Sequence, residues 1–268
     1  MLKSLTAVSM LLAATLAVAA QPAPSAEVVK DLAPTGKLRA AINFGNGVLA
    51  QKGADGTPQG VSADLSRELA RRLNVPVEFV SFEAAGKVFE AAAQGAWDVG
   101  FVAIEPVRAQ AIEFTAPYVI IEGTYMVHKD SPLKEVADVD KPGIRIAVGL
   151  GSAYDLYLTR TIKNATIVRA PVGGGRAMIE MFVNDKLEAA AGVKPSLVDY
   201  ANDHPEMRVM DGHFMEIRQA MGTPKGHMAG AAYLRAFVEE MKTSGFVADA
   251  LKRSNQPDAA VAPPATSR

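Results

Sequence analysis

Residues 95–118 read GAWDVGFVAIEPVRAQAIEFTAPY. Within this stretch Trp97 to Ile104 is almost wholly apolar, the composition of a strand buried on both faces of a parallel sheet. Moving toward the N-terminus, a helix is predicted from about Ala84 to Gln94, stopped at Gly95. Before it, Val75 to Phe82 alternates and is rich in β-branched and aromatic residues, so it reads as a strand. A helix starting near Val61 and Ser62 carries Leu65, Leu69 and Leu73 as one apolar stripe, with Arg67, Glu68, Arg71 and Arg72 mostly off it. Leu38 to Phe44 is a short apolar run ending in Gly45-Asn46-Gly47, a strand followed by a loop.

The same cycle recurs further along. Strands are predicted over Ile144 to Leu150, Thr166 to Ala170 and Leu187 to Ala191. Helices are predicted over Ala153 to Ile162, Arg176 to Val183 and Pro195 to Asn202. Two rounds of β-α-β-α-β predict an α/β fold of two doubly wound α/β lobes, with one larger α/β domain as the alternative. Ile120 to His128 and Met207 to Ile217 are read as extended connectors, two hinge strands between the lobes. Ala231 to Met241 and the segment from Phe246 to Leu251 read as closing helices. If they pack on the first lobe, the chain crosses twice, which permits hinge closure while limiting twist.

Lys3 followed by the apolar run Leu5 to Val18 and the small-residue pattern Ala17-Val18-Ala19 reads as a secretory leader cleaved near Ala19-Ala20, the alternative being an uncleaved anchor. The mature protein is therefore expected in the periplasm. The chain has no cysteine, so stability in an oxidising compartment must come from a packed core. A net charge of −1 without a basic block argues against nucleic acid as a partner. The expected division is a leader over 1–19, a tail over 20–36, a first lobe over 37–124 and 214–254, a second lobe including hinge strands over 125–213, and an unstructured tail over 255–268.

Gly60-Val61-Ser62-Ala63-Asp64-Leu65, Gly95-Ala96-Trp97-Asp98-Val99, Pro106-Val107-Arg108 and Glu113-Phe114-Thr115-Ala116-Pro117-Tyr118 stand in an order and spacing that resemble the bacterial extracellular solute-binding proteins of polar amino-acid importers, family 3. Thr243-Ser244-Gly245-Phe246 is similar to that family's turn between its last two helices. The resemblance implies a periplasmic-binding-protein fold of type II that closes on its ligand. It also implies an ABC importer's membrane permease as partner and a small polar, carboxylate-bearing solute, an amino acid or related organic acid, as ligand. The chain is expected to act as a monomer without cofactor, metal or catalytic residue.

The resemblance also implies roles for residues. Arg108 stands just after the third strand, where members hold the ligand carboxylate, and a guanidinium fork matches two carboxylate oxygens. A surface arginine on a short helix is the plainer reading. Asn43 stands where an Asp is frequent, with Phe44 beside it, and Ala103 replaces a polar residue. Phe101 is either a ligand-stacking ring or simply core. Glu105 either reaches a cationic part of the ligand or pairs with Arg108. Gly149-Leu150-Gly151-Ser152, followed by Ala153, opens a helix whose backbone N–H groups suit an anion. Members that bind α-amino acids present an Asp near Val193, but here Gly192-Val193-Lys194 carries no acid, so Lys194 either favours a second acidic group or faces solvent.

Other chemistry has little support. Gly173-Gly174-Gly175-Arg176 reads either as an anion cradle or as a plain strand-to-helix connection. The four histidines, His128, His204, His213 and His227, lack metal-ligand spacing, and Gly149 to Ala153 is not a nucleophile elbow. Two further functions share the scaffold: a cyclohexadienyl dehydratase-like enzyme using Glu105 as acid beside Arg108, and an extracytoplasmic sensor module.

Overall fold

Strand formation tracks the apolar runs. A computed structural model of the protein describes residues 23–171 and 174–266. The leader, Val172 and Gly173 lie outside the described residues. Helix α1 (Ala26–Leu32) precedes β1 (Leu38–Asn43), a small hairpin of β2 (Gln51–Lys52) and β3 (Pro58–Gln59), α2 (Val61–Leu73), β4 (Val77–Phe82), α3 (Ala85–Ala92) and β5 (Val99–Ala103). The long strand β6 (Ile112–His128) leads to β7 (Arg145–Gly149), α4 (Ala153–Thr161), β8 (Thr166–Ala170), α5 (Gly174–Asn184), β9 (Ala189–Val193), α6 (Lys194–Asp203) and β10 (Met207–Val209). The chain returns through β11 (Met215–Pro224) and finishes with α7 (Met228–Thr243), α8 (Phe246–Arg253) and β12 (Ala260–Val261).

The main sheet runs β4-β1-β5-β11-β6-β9-β7-β8. Strand β1 is parallel to β4 and β5, and β7 is parallel to β8 and β9. Between these two parallel ribbons lies the antiparallel pair β6 and β11. The fold is two α/β lobes joined by two long strands, as the repeated β-α cycle predicts. The ends of the parallel strands face one another across the junction, so loops from both lobes meet there.

The connecting strands differ from expectation in extent. Strand β6 begins at Ile112 rather than Ile120 and covers 17 residues. The segment from Met207 to Ile217 is not one strand, because Gly212 at φ +77° turns the chain between β10 and β11. The second connector instead runs on to Pro224, and its register on β6 shifts between Gln219 and Ala220, where Ala220 faces Pro117. Proline has no N–H for the ladder, which accounts for an irregularity there.

Both expected tails are structured where described. Helix α1 is capped by the Ser25 side chain, which accepts from Val28 N–H, and it buries Val28 and Leu32. It seats on α7, whose Gly230 N–H donates to Asp31 at 2.9 Å, and a Cβ at Gly230 would stand 2.7 Å from Leu32. At the other end β12 pairs antiparallel with β6, Ala260 opposite Ile120, and Ala262 is buried. The Lys242 ammonium ties this segment down by donating to the carbonyls of Pro117 and Pro263.

Helix α2 buries Leu65, Leu69 and Leu73 on its predicted stripe. Its outer edge is pinned by charge: Arg72 donates to Glu68 and, on α7, to both carboxylate oxygens of Glu240. Arg71 also donates to Glu68. These guanidinium bonds hold the Glu68 carboxyl at about 2, well below its ordinary 4.5, against the opposing effect of burial.

Leu32→Ala is expected to lower the unfolding free energy by about 2–4 kcal/mol in denaturant titration, because Leu32 is fully buried. An unchanged midpoint contradicts a docked α1. Glu68 has a depressed folded pKa, so its stabilisation is complete above about pH 4.5 and is lost as pH falls toward about 2. The gap in stability between wild type and Glu68→Gln is expected to be about 1–2 kcal/mol at neutral pH after solvent screening, and to shrink steadily on acidification. A gap that does not vary with pH contradicts the assignment.

Candidate functional site

The carboxyl ends of four parallel strands bring Asn43 (β1), Ala103 (β5), Gly149 (β7) and Val193 (β9) to one place between the lobes. A cavity of about 60 Å³ lies there, with Asn43, Asn46, Arg108, Ser152, Ser196 and Gln219 as its polar lining. The apolar lining includes Ala103, Ala153, Tyr154, Met178, Ile179, Val193, Leu197 and Ile217. Burial pushes the Tyr154 hydroxyl up to about 12, so it stays protonated.

Arg108 is the central charge. It begins a short 3-10 turn after β5 and is only 1% exposed. Its Nη1 donates to the Ala103 carbonyl at 2.9 Å and its Nη2 to the Gly151 carbonyl of the opposite lobe at 2.8 Å. Its Nε–H has no partner. Burial lowers its pKa to about 10, opposed by the charge of Glu105, and it remains a cation at neutral pH. A buried guanidinium with an unused donor is costly unless an acceptor meets it.

The asparagines are oriented by their own loop. Asn43 Oδ1 accepts from Gly45 N–H at 3.0 Å and Asn46 Oδ1 from Val48 N–H at 3.3 Å. Each amide also carries an NH₂ group that can donate to a ligand. Ser152 caps α4 by accepting from Asp155 N–H, and its hydroxyl also meets the Tyr154 hydroxyl. Asp155 in turn accepts from Gly151 N–H and pairs with Arg169.

Glycines set how near the lobes come. A Cβ at Gly174, which has φ +57°, would lie 2.6 Å from Gly45 Cα. Gly175 N–H donates to the Gly45 carbonyl at 3.4 Å. Gly174 and Gly175, which open α5, therefore line the cavity and touch the opposite lobe. A further ion pair crosses the cleft: Glu105 Oε2, buried, stands 2.8 Å from Arg160 Nη2 on α4, at an angle that leaves that oxygen without a hydrogen bond.

Six of the residues singled out in the sequence line the cavity: Asn43, Ala103, Arg108, Ser152, Ala153 and Val193. Five do not. Phe44 borders an outer groove beneath the Lys52 ammonium. Phe101 is core, edge-on to Tyr118 with ring centres 6.2 Å apart. Glu105 is outside the cavity lining and pairs with Arg160. Gly151 gives its carbonyl to Arg108 and its N–H to Asp155, so neither of its backbone groups is left for an anion. Lys194 turns to Glu122 on β6, which His213 also approaches. Among the residues not anticipated, Gln219 and Ile217 alternate along β11, a strand that runs beyond the expected connector, and Ser196 and Leu197 come from α6.

Comparison with known proteins agrees with this architecture. A curated relative, the amino-acid-binding protein AabA of Dichelobacter nodosus, is 22% identical over 210 residues, covering 76% of this chain and 81% of that protein. Among solved structures, a mutant of ArgBP from T. maritima superposes with a TM-score of 0.73 at 18% identity, covering 85% of this chain and 99% of that one. The ancestral amino acid-binding protein AncCDT-1, described as a precursor of cyclohexadienyl dehydratase, gives 0.71 at 22% identity, covering 84% and 98%. The solute receptor for L-cysteine of Neisseria gonorrhoeae gives 0.73 at 20% identity, covering 84% and 92%. The sequence profile of the bacterial extracellular solute-binding proteins, family 3, matches residues 49–254, and this chain belongs to that family.

Proposed function

We propose that the protein is exported to the periplasm, binds one small carboxylate-bearing solute between its lobes, and delivers it to the membrane permease of an ABC importer. The observation that carries this reading is the buried Arg108 guanidinium, lining the interlobe cavity with an unpaired Nε–H. A carboxylate supplies both the counter-charge and the missing acceptor. The solutes in the relatives' names, arginine and L-cysteine among them, all carry a carboxylate, together with an α-amino group. Lobes 37–124 with 214–254 and 125–213 move about β6 and β11, the two strands that cross between them. Closure is favoured by contacts made only when the lobes meet, so affinity and hinge position are linked.

The enzyme reading is weaker than receptor action. Its proposed acid, Glu105, does not line the cavity and is engaged with Arg160. The acid and anchor that a dehydratase needs are therefore not presented to one ligand.

Thermal melting of the mature protein against amino acids, 2-oxo acids, 2-hydroxy acids and dicarboxylates tests the proposal. A ligand at 100 times its dissociation constant adds roughly 2.7 kcal/mol of stability. At least one carboxylate is expected to raise Tm, and Arg108→Ala is expected to abolish that rise while remaining folded by circular dichroism. A response retained in Arg108→Ala contradicts the anchor.

A further inference from the structure

The donors and charges around the cavity narrow the class of carboxylate, on the reading that Arg108 is the carboxylate anchor. No Asp, Glu or Lys lines the cavity among the described residues, so Arg108 is its one ionised side chain. Two acids close in sequence to lining residues are committed elsewhere, Glu105 to Arg160 and Asp155 to Arg169 and Gly151 N–H. Both of those ion pairs are neutral as pairs. A monocarboxylate without an amino group brings the buried charge to zero. An α-amino acid leaves it at one net positive charge, with an ammonium placed in the same cavity as a guanidinium, an arrangement that burial penalises strongly.

Hydrogen-bond polarity points the same way. An ammonium is best met by a carboxylate, and the described lining has none: its side-chain acceptors are the neutral oxygens of Asn43, Asn46, Gln219, Ser152 and Ser196, and those of Asn43 and Asn46 already accept from Gly45 and Val48 N–H. The NH₂ groups of Asn43 and Asn46 are donors, which suit a carboxylate, keto or hydroxyl oxygen. The strand ends that close the other side carry Ala103 and Val193, whose side chains have no acceptor. At roughly 10–15 Å³ per water-sized position, the 60 Å³ cavity holds on the order of four to six non-hydrogen atoms.

We propose that the preferred ligand is a small monocarboxylate lacking an amino group, of the 2-oxo or 2-hydroxy acid class, and that a lining with Arg108 and no carboxylate, Val193 standing at the end of β9, excludes the ammonium of an amino acid. The ligand's 2-oxygen takes the place that an ammonium occupies in an amino acid, and its short aliphatic end meets Met178, Ile179 and Leu197.

Isothermal titration of the mature protein with pyruvate, lactate and alanine, and with their four-carbon homologues, tests the proposal because each set differs only at carbon 2. Pyruvate or lactate, or a homologue, is expected to bind at least tenfold more tightly than the matching amino acid. Val193→Asp, which places an acid at the end of β9, is expected to move the ratio of amino-acid to hydroxy-acid affinity at least tenfold toward the amino acid. Amino acids binding as tightly as their deaminated partners, and losing that binding in Arg108→Ala, overturn this inference while leaving the carboxylate-receptor reading intact. No binding by any of the six to a folded protein overturns the inference. Silence across the wider carboxylate panel as well overturns the receptor reading with it.

Discussion

A buried cation organises the cleft. Arg108 sits at the carboxyl end of β5 and reaches across to the Gly151 carbonyl ahead of α4, so one side chain belongs to both lobes. Its position depends on the sheet order, because β5 packs between β1 and β11 and delivers the arginine to the junction. Its charge is sustained at a cost, since burial lowers its pKa to about 10 while Glu105 opposes that fall. The carbonyls that accept from it, the acid whose charge opposes its fall in pKa and the cavity it lines all meet at this one group.

The small size of the cavity has a backbone cause. Gly45 meets Gly174, and Gly86 meets Gly151, so main chain approaches main chain at two points across the cleft. Any Cβ at Gly174 would collide with Gly45, and its positive φ is a second reason for glycine there. The Glu105–Arg160 ion pair adds a charged contact between the same lobes. Around the cavity the lobes meet through these glycines, the Arg108 to Gly151 hydrogen bond and the Glu105–Arg160 ion pair.

How much of this is legible in the sequence depends on the range of the interaction. Strand β5 and the place of Arg108 can be read because an apolar run and its end are local signals. The same run cannot say which face each residue takes, since β5 is buried on both, and Phe101 packs on Tyr118 while Val102 and Ala103 border the cavity. Lys194 is ambiguous in sequence because its partner is set by strand pairing: Val193 lies opposite Gly123, which brings the next residue beside Glu122. Gln219 gives no local signal because Gly212 moves the start of β11 and the strand runs on to Pro224, so the polar residue falls inside a strand rather than after one. Helix α1 and strand β12 are too short to carry a periodic pattern, and they are held by contacts with α7 and β6 that lie far away in sequence.

The central claim is that the Arg108 guanidinium, through its unpaired Nε–H, takes the carboxylate of the ligand. The most direct measurement is the ¹H–¹⁵N resonance of Arg108 Nε in the mature protein, assigned by its loss in Arg108→Lys, monitored while lactate or pyruvate is added. A large downfield shift of that one arginine proton, saturating with the ligand, is the predicted result. Ligand binding that leaves the Arg108 resonance where it was contradicts the claim.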